Sequence, residues 1–100
     1  MTLSNAERKS YRAIGHDLKP IVIIAQNGLS ENVKREIDRA LTDHELIKVK
    51  VQAADREAKQ QLIELACKEL SAECVQTIGH VALLFRAAKK PNPRLTNLKK

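Results

Sequence analysis

The pattern of apolar and polar residues divides the chain into segments with helical spacing and segments with strand spacing. Apolar positions three and four residues apart predict helices that begin after the N-caps Ser4, Ser30 and Asp55. Short apolar or alternating runs predict strands at residues 20–25, 46–52, 74–78 and 81–86. The order α-β-α-β-α-β-β predicts a single compact α/β domain with a four-stranded mixed sheet. Helical crossovers should join neighbouring parallel strands, and the last two strands should form a hairpin.

Each predicted helix has one apolar side that should face the sheet. In the first helix, a capping box of Ser4 and Glu7 fixes the start, Tyr11 borders the apolar side, and Gly15 is expected to end the helix. The predicted buried positions are Ala6, Ser10, Ala13 and Ile14 in the first helix, Val33, Ile37, Ala40 and Leu41 in the second, and Ala58, Leu62, Leu65, Ala66 and Leu70 in the third.

The first two predicted strands differ in pattern. Residues 20–25 form a β-branched apolar run without polar alternation, which predicts a central strand covered on both faces. In the second strand Ile47, Val49 and Val51 alternate with Lys48 and Lys50. That alternation predicts one buried face and one polar face.

Charge is distributed unevenly along the chain. The 18 Lys and Arg residues exceed the 12 Asp and Glu residues, which gives a net charge of +6. Residues 1–85 are balanced, so the whole excess lies in residues 86–100, which contain no acid. Pro91, Pro93 and the lack of periodicity predict a folded domain at residues 1–86 and a basic, flexible tail at residues 87–100. Such a tail suits a polyanionic partner or serves only as a solubilising end.

The junction at residues 24–30 is the most specific local feature. A buried strand ends there, the chain turns at Ala25, Gln26, Asn27 and Gly28, and a capped helix begins. The first amides of a helix have no intrahelical acceptor and the helix dipole is positive at that end, so this bend can bind one phosphate. The alternative is a purely structural turn, because Asn-Gly tolerates left-handed backbone angles.

Several basic residues could extend a phosphate-binding surface from this bend. Charges opposite an apolar stripe usually belong to a solvated helix face, which is the favoured interpretation for each basic residue of the first helix taken alone. Lys48 and Lys50 either line a binding surface or keep their strand face solvated. The candidates nearest the bend are Lys19, Lys34 and Arg35, and those on the first helix are Arg8, Lys9 and Arg12.

The remaining residues argue against catalysis and cofactors. Neither a Walker motif nor three spaced glycines occur at the bend, so no nucleotide cofactor is expected. The three histidines are scattered, and Cys67 and Cys74 lack metal-ligand spacing, so we expect no metal, no small-molecule substrate and no enzyme activity.

No apolar run is long enough to span a bilayer, which predicts a cytoplasmic protein without a membrane partner. With only Tyr11 and Phe85 as aromatics, nucleic acid would be bound through phosphates and shape rather than base stacking.

Three segments of the sequence resemble a known family. LKPIVIIAQNGLS at residues 18–30, DHELIKVK at 43–50 and VQTIGHVALLFR at 75–86 resemble, in matching order, the signatures of the CRM domain, the chloroplast RNA splicing and ribosome maturation domain. The resemblance covers residues 2–86 and is closest to the stand-alone bacterial YhbY type. The family loop is Gly-x-x-Gly, and Ala25 replaces its first glycine here. Close approach of a ligand should survive if position 25 does not need a positive φ.

The resemblance implies both a fold and a function. It implies an α/β fold similar to the C-terminal domain of translation initiation factor three. It also implies RNA binding, with precursor rRNA of the large ribosomal subunit and pre-ribosomal particles as partners. Two alternatives remain at this point: a general chaperone or regulator of small or messenger RNA, and a protein-interaction adaptor.

Overall fold

The computed structural model describes residues 3–25 and 28–98. The helices are α1 (Asn5–His16), α2 (Glu31–His44) and α3 (Arg56–Leu70), and the strands are β1 (Pro20–Ile24), β2 (Leu46–Val51), β3 (Glu73–Ile78) and β4 (Val81–Phe85). One four-stranded sheet has the order β1-β2-β4-β3, in which β1 is parallel to β2 and β4 is antiparallel to both of its neighbours. The predicted α/β domain with a mixed sheet is confirmed. Only β1 and β2 are neighbouring parallel strands, because β4 lies between β2 and β3.

Helices α2 and α3 pack on one face of the sheet and form the larger core. Ile37 and Leu41 of α2 are fully buried, and Ile63 of α3 is nearly so. They meet alternate residues of three strands, among them Ile24, Ile47, Val49, Val51 and Leu84. This alternation is the period of two that the β2 sequence predicted.

Helix α1 packs on the opposite face of the sheet, over a second and smaller cluster. Tyr11 of α1 stacks on Phe85 of β4 with ring centroids 4.8 Å apart. Leu46, Val75 and Leu83 complete the buried surface beneath the helix. Both aromatic rings of the chain are therefore used for packing.

The prediction that β1 is a central strand covered on both faces is wrong. β1 lies at an edge of the sheet. Val22 and Ile24 face the core, whereas the side chains of Ile21 and Ile23 are 52% and 51% exposed. A short apolar run does not reveal how far the covering helix extends, and here α1 does not reach these two isoleucines.

Gly15 does not end α1, contrary to the prediction. It lies inside the helix and is buried, and a Cβ built there would lie 2.6 Å from Leu83 Cδ2. Glycine is required at this position because it lets the helix backbone approach the sheet closely. The predicted buried side is also rotated, since Ala6, Ser10 and Ala13 are exposed.

The prediction for α3 is wrong at one position. Leu65, assigned to its inner side, is 44% exposed, and Ile63 occupies the core instead. Both residues fit a helical stripe by spacing, so the pattern alone did not choose between them.

The C-terminal segment contacts the folded domain at several points, and its flexibility stays a prediction. Residues 87–98 contain no helix or strand, but Thr96 is buried and its Oγ1 donates a hydrogen bond of 2.9 Å to Glu45 Oε1. Asn97 Nδ2 donates to Leu46 O at 2.6 Å, and Leu98 packs in the cluster beneath α1. The partners in these contacts lie far apart in the sequence, so the spacing of apolar residues could not indicate them.

Candidate nucleic-acid interface

Three connections meet at one end of the sheet. They are residues 25–30 after β1, residues 52–55 after β2 and the hairpin turn at residues 79–80. Gln52 N donates to Ile24 O at 2.8 Å and Val51 N donates to His80 O at 2.7 Å, which ties the three together. We call this the loop end of the sheet. Helices α2 and α3 both begin there, because each follows a parallel strand that ends there.

The predicted phosphate-binding bend lies at this loop end. Gly28 N donates to Ala25 O at 2.9 Å and closes the turn, and Gly28 has a φ of 94°. Only glycine adopts this backbone conformation without strain. Ala25 does not have a positive φ, so alanine in place of the family glycine introduces no backbone strain. Gln26 and Asn27, the other two predicted site residues of the bend, lie outside the described residues.

The start of α2 offers backbone donors beside the bend. Ser30 caps the helix by accepting a hydrogen bond of 3.2 Å from Val33 N. The amides of Glu31 and Asn32 meet no acceptor within residues 3–25 and 28–98. Unpaired amides at a helix start suit an anion, because the dipole is positive there.

The two predicted cations of α2 differ in whether they are free to bind a phosphate. Lys34 Nζ lies 2.8 Å from Glu31 Oε1. This hydrogen bond lowers the pKa of the Glu31 carboxyl and raises the pKa of the Lys34 ammonium. A phosphate at the bend would therefore compete with Glu31 for Lys34. Arg35 is exposed and its guanidinium contacts only the side-chain oxygen of Asn32, at 3.4 Å, among the described residues.

The structure separates the other predicted cations from the bend. Lys19 precedes β1 and so lies at the opposite end of that strand, roughly 20 Å from Ala25 at the usual rise per residue. Arg8 donates to the carbonyls of Cys74 and Val75 and pairs with Glu73 at 3.0 Å, so it fastens α1 to β3. Lys9 and Arg12 are exposed on α1.

Two further basic residues have roles that the sequence did not indicate. Arg86, counted with the basic tail, pairs with Asp38 at 2.8 Å and donates to Leu70 O at 3.0 Å. It therefore joins α2, α3 and β4. Lys59 Nζ, in the first turns of α3, donates to Gly79 O and braces the hairpin at the loop end. Neither contact follows a sequence pattern, because each joins segments distant along the chain.

Cys67, the cysteine considered as a nucleophile, is partly buried in α3. Burial raises the pKa of the Cys67 thiol to about 12, so this cysteine is protonated and unreactive at neutral pH. No group of three or more candidate metal ligands occurs within the described ranges, 3–25 and 28–98. Among the same residues, none of the helices has the length and apolar character needed to cross a membrane.

Known proteins resemble this chain in sequence and in fold. The chain is 45% identical to a probable RNA-binding protein of Pseudomonas aeruginosa, over 98% of this chain and 94% of the relative. It is also 45% identical to an RNA-binding protein of Haemophilus influenzae, over 94% and 95% of the two chains. The solution structure of a Staphylococcus aureus protein, described as a candidate RNA-binding protein, superposes with a TM-score of 0.78 at 31% identity, covering 89% of this chain and 93% of the other.

The family comparison covers nearly the whole domain. The model of the CRS1/YhbY (CRM) domain matches residues 3–86, which include all three helices, all four strands and the bend at the loop end. The Pseudomonas and Haemophilus relatives are named as a probable RNA-binding protein and an RNA-binding protein. The chain therefore belongs to the CRS1/YhbY (CRM) domain family, as the sequence motifs indicated.

Proposed function

We propose that this protein binds precursor rRNA of the large ribosomal subunit and acts in the cytoplasm on pre-ribosomal particles during maturation of that subunit. The bend between β1 and α2 carries the proposal. There a partly exposed glycine turn leads into a helix whose first amides are available, and Arg35 lies one turn away. A sugar-phosphate backbone can approach Gly28 closely, since this residue has no side chain.

The proposed mode of recognition at the bend is through phosphates and RNA shape. Tyr11 and Phe85, the only aromatic residues, stack on each other beneath α1 and offer no platform for bases. Binding through phosphates releases counterions, so affinity should fall with salt by a log–log slope of roughly 0.7 for each contact to a single strand. This dependence separates RNA binding from an adaptor function, whose affinity would change little with salt.

Sedimentation of cell extract tests the ribosomal part of the proposal. We expect the tagged protein to sediment with precursors of the large subunit at low salt and to dissociate as salt increases. The Gly28→Asp variant should shift toward the light fractions, because a carboxylate at the bend repels phosphate. Recovery of the normal protein only in the light fractions at low salt would contradict the proposal.

Crosslinking and sequencing of the bound RNA identify the substrate. Reads concentrated in precursor rRNA of the large subunit are the expected result. Reads spread over small and messenger RNAs without rRNA enrichment would instead support a general RNA chaperone or regulator.

A further inference from the structure

Part of the sheet face that carries α1 is open to solvent. Ile23, Lys50, Val81 and Ile78 are successive register partners and form one row across all four strands. Lys48, Leu83 and Gln76 form the next row. Ile23 and Ile78 are 51% and 64% exposed. We define the open face as Ile21, Ile23, Lys48, Lys50, Gln76, Ile78 and Val81.

The charge of the open face is entirely positive. Glu73 is the only acid in the four strands, and it is paired with Arg8 at the α1 end of β3. Lys48 and Lys50 form no ion pair with any described residue. They point to the same side of β2, about 7 Å apart along the strand. Lys19 lines one groove together with Lys48 and Ile21, so three lysines follow the β1–β2 side of the open face.

An apolar groove lies beside this line of lysines. It has a volume of about 180 Å³ and is lined by Pro20, Lys48, Gln76, Ile78, Val81 and Leu83. Burial of a phosphate against apolar side chains is not favourable. Burial of the flat face of a nucleobase there is favourable, because it removes apolar surface from water. Gln76 contributes an amide that can donate to and accept from a base edge.

We propose that the open face binds an unpaired RNA strand, with its phosphates along Lys19, Lys48 and Lys50 and its bases turned into the apolar groove. The proposal rests on the proposed function and continues it, because Ile23, the register partner of Lys50, lies two residues before Ala25. One strand can thus pass from the bend onto the open face. A duplex fits poorly, since its bases are already paired and only its phosphates would reach the protein.

Fluorescence anisotropy with a short unstructured oligoribonucleotide tests the lysines. Replacing Lys50 by Gln should reduce the log–log salt slope by about 0.7, the contribution of one phosphate contact to a single strand. Lys68→Gln is the matched control, because Lys68 is an exposed lysine of α3 on the other face of the sheet. Its slope should equal that of the unmodified protein.

Replacement of the isoleucines tests the apolar groove. Ile23→Thr keeps a β-branched residue in the strand and should weaken binding by about fivefold, as expected for partial loss of apolar burial. The salt slope should not change, since no charge is removed. Ile21→Thr provides a second variant, and circular dichroism verifies that each variant is folded. A blunt duplex of the same sequence should bind more weakly than the single strand.

The outcomes separate this inference from the proposed function. If Lys50→Gln and Ile23→Thr bind RNA normally while Gly28→Asp binds weakly, the open face is not an RNA surface, and a protein partner becomes its better occupant. Equal affinity for duplex and single strand would also overturn the inference. If the unmodified protein binds no RNA, the proposed function fails together with it. If the open-face variants bind RNA weakly while Gly28→Asp binds normally, the open face is an RNA surface and the bend contributes nothing to RNA binding.

Discussion

The side of the sheet that carries α1 has two halves of opposite character, although the same strands build both. Along one side of β2, the residue under α1 is Leu46, which is fully buried, and the next two are Lys48 and Lys50. On β4 the buried Phe85 and Leu83 are followed by the partly exposed Val81. On β2 the change from an apolar to cationic side chains therefore coincides with the limit of the helix that covers the sheet, whereas on β4 the residue beyond that limit is still apolar.

This difference shows that strand alternation alone does not define a buried face. The side of β2 toward α2 and α3 is apolar at every second residue, because the helices cover its full length. On β2, the side toward α1 is apolar only where α1 and the C-terminal segment lie over it, and it carries Lys48 and Lys50 beyond them. On the side of the sheet that carries α1, we call the part beneath the helix, with Leu46, Leu83 and Phe85, the covered half. The part formed by the open face is the open half.

Truncation of side chains in the two halves should have the most unequal effects. Leu46→Ala in the covered half should lower the free energy of unfolding by about 3–4 kcal/mol, because it removes packing and leaves a cavity in a fully buried cluster. Ile23→Ala in the open half should lower it by less than about 1 kcal/mol, since that side chain is already half exposed. Urea unfolding followed by circular dichroism measures both. Similar losses would show that the open half is covered in solution.

Removal of residues 91–100 should uncover part of the covered half. The truncation removes Leu98 from the cluster beneath α1 and the hydroxyl of Thr96 from the buried carboxylate of Glu45. We expect a loss of about 2–3 kcal/mol in the free energy of unfolding, from the lost apolar burial and the partly unpaired carboxylate.

A charge-matched control separates packing from electrostatics in this truncation. The full-length chain with Arg94→Gln, Lys99→Gln and Lys100→Gln loses the same three positive charges but keeps the buried contacts. Its urea midpoint should remain close to that of the unmodified protein. If the control and the truncated chain were equally destabilised, the packing of residues 91–98 would contribute nothing.

Gly15→Val should weaken the contact between α1 and the sheet. A Cβ at this position already lies 2.6 Å from Leu83 Cδ2, and valine adds two methyl groups. The expected loss is about 2 kcal/mol in the free energy of unfolding, which is typical of overpacking in a core. Ala13→Val is the control on the exposed side of the same helix and should cost only about 0.5 kcal/mol. A normal urea midpoint for Gly15→Val would mean that α1 can move away from the sheet at little cost.

The sequence predicted the positions of the helices and strands better than it predicted which of their residues are buried or paired. Caps and apolar spacing act over a few residues, so Ser4, Ser30 and Asp55 were identified correctly as helix starts. The exposure of Ile23 and the burial of Thr96 depend on segments distant along the chain, and no local pattern encodes them. Of the candidate site, the turn at Gly28 was predictable from local backbone chemistry. The use of Arg8 in fastening α1 to β3 was not, because its partners lie more than sixty residues away.

The smallest expected effect is that of a substitution at the bend, which lies next to the open half at the loop end. Gly28→Asp should weaken binding of a single-stranded RNA by about tenfold, or about 1.4 kcal/mol, because a carboxylate at the start of α2 repels phosphate. Gly28→Ala is the matched control: its Cβ would lie 3.8 Å from Leu62 Cδ2, an ordinary contact, and it shares the strain of a φ of 94° without the charge. Fluorescence anisotropy measures the affinities, and circular dichroism verifies the fold. If both variants lost affinity equally, backbone strain rather than charge would explain the effect. If neither did, the open half would bind RNA without help from the bend.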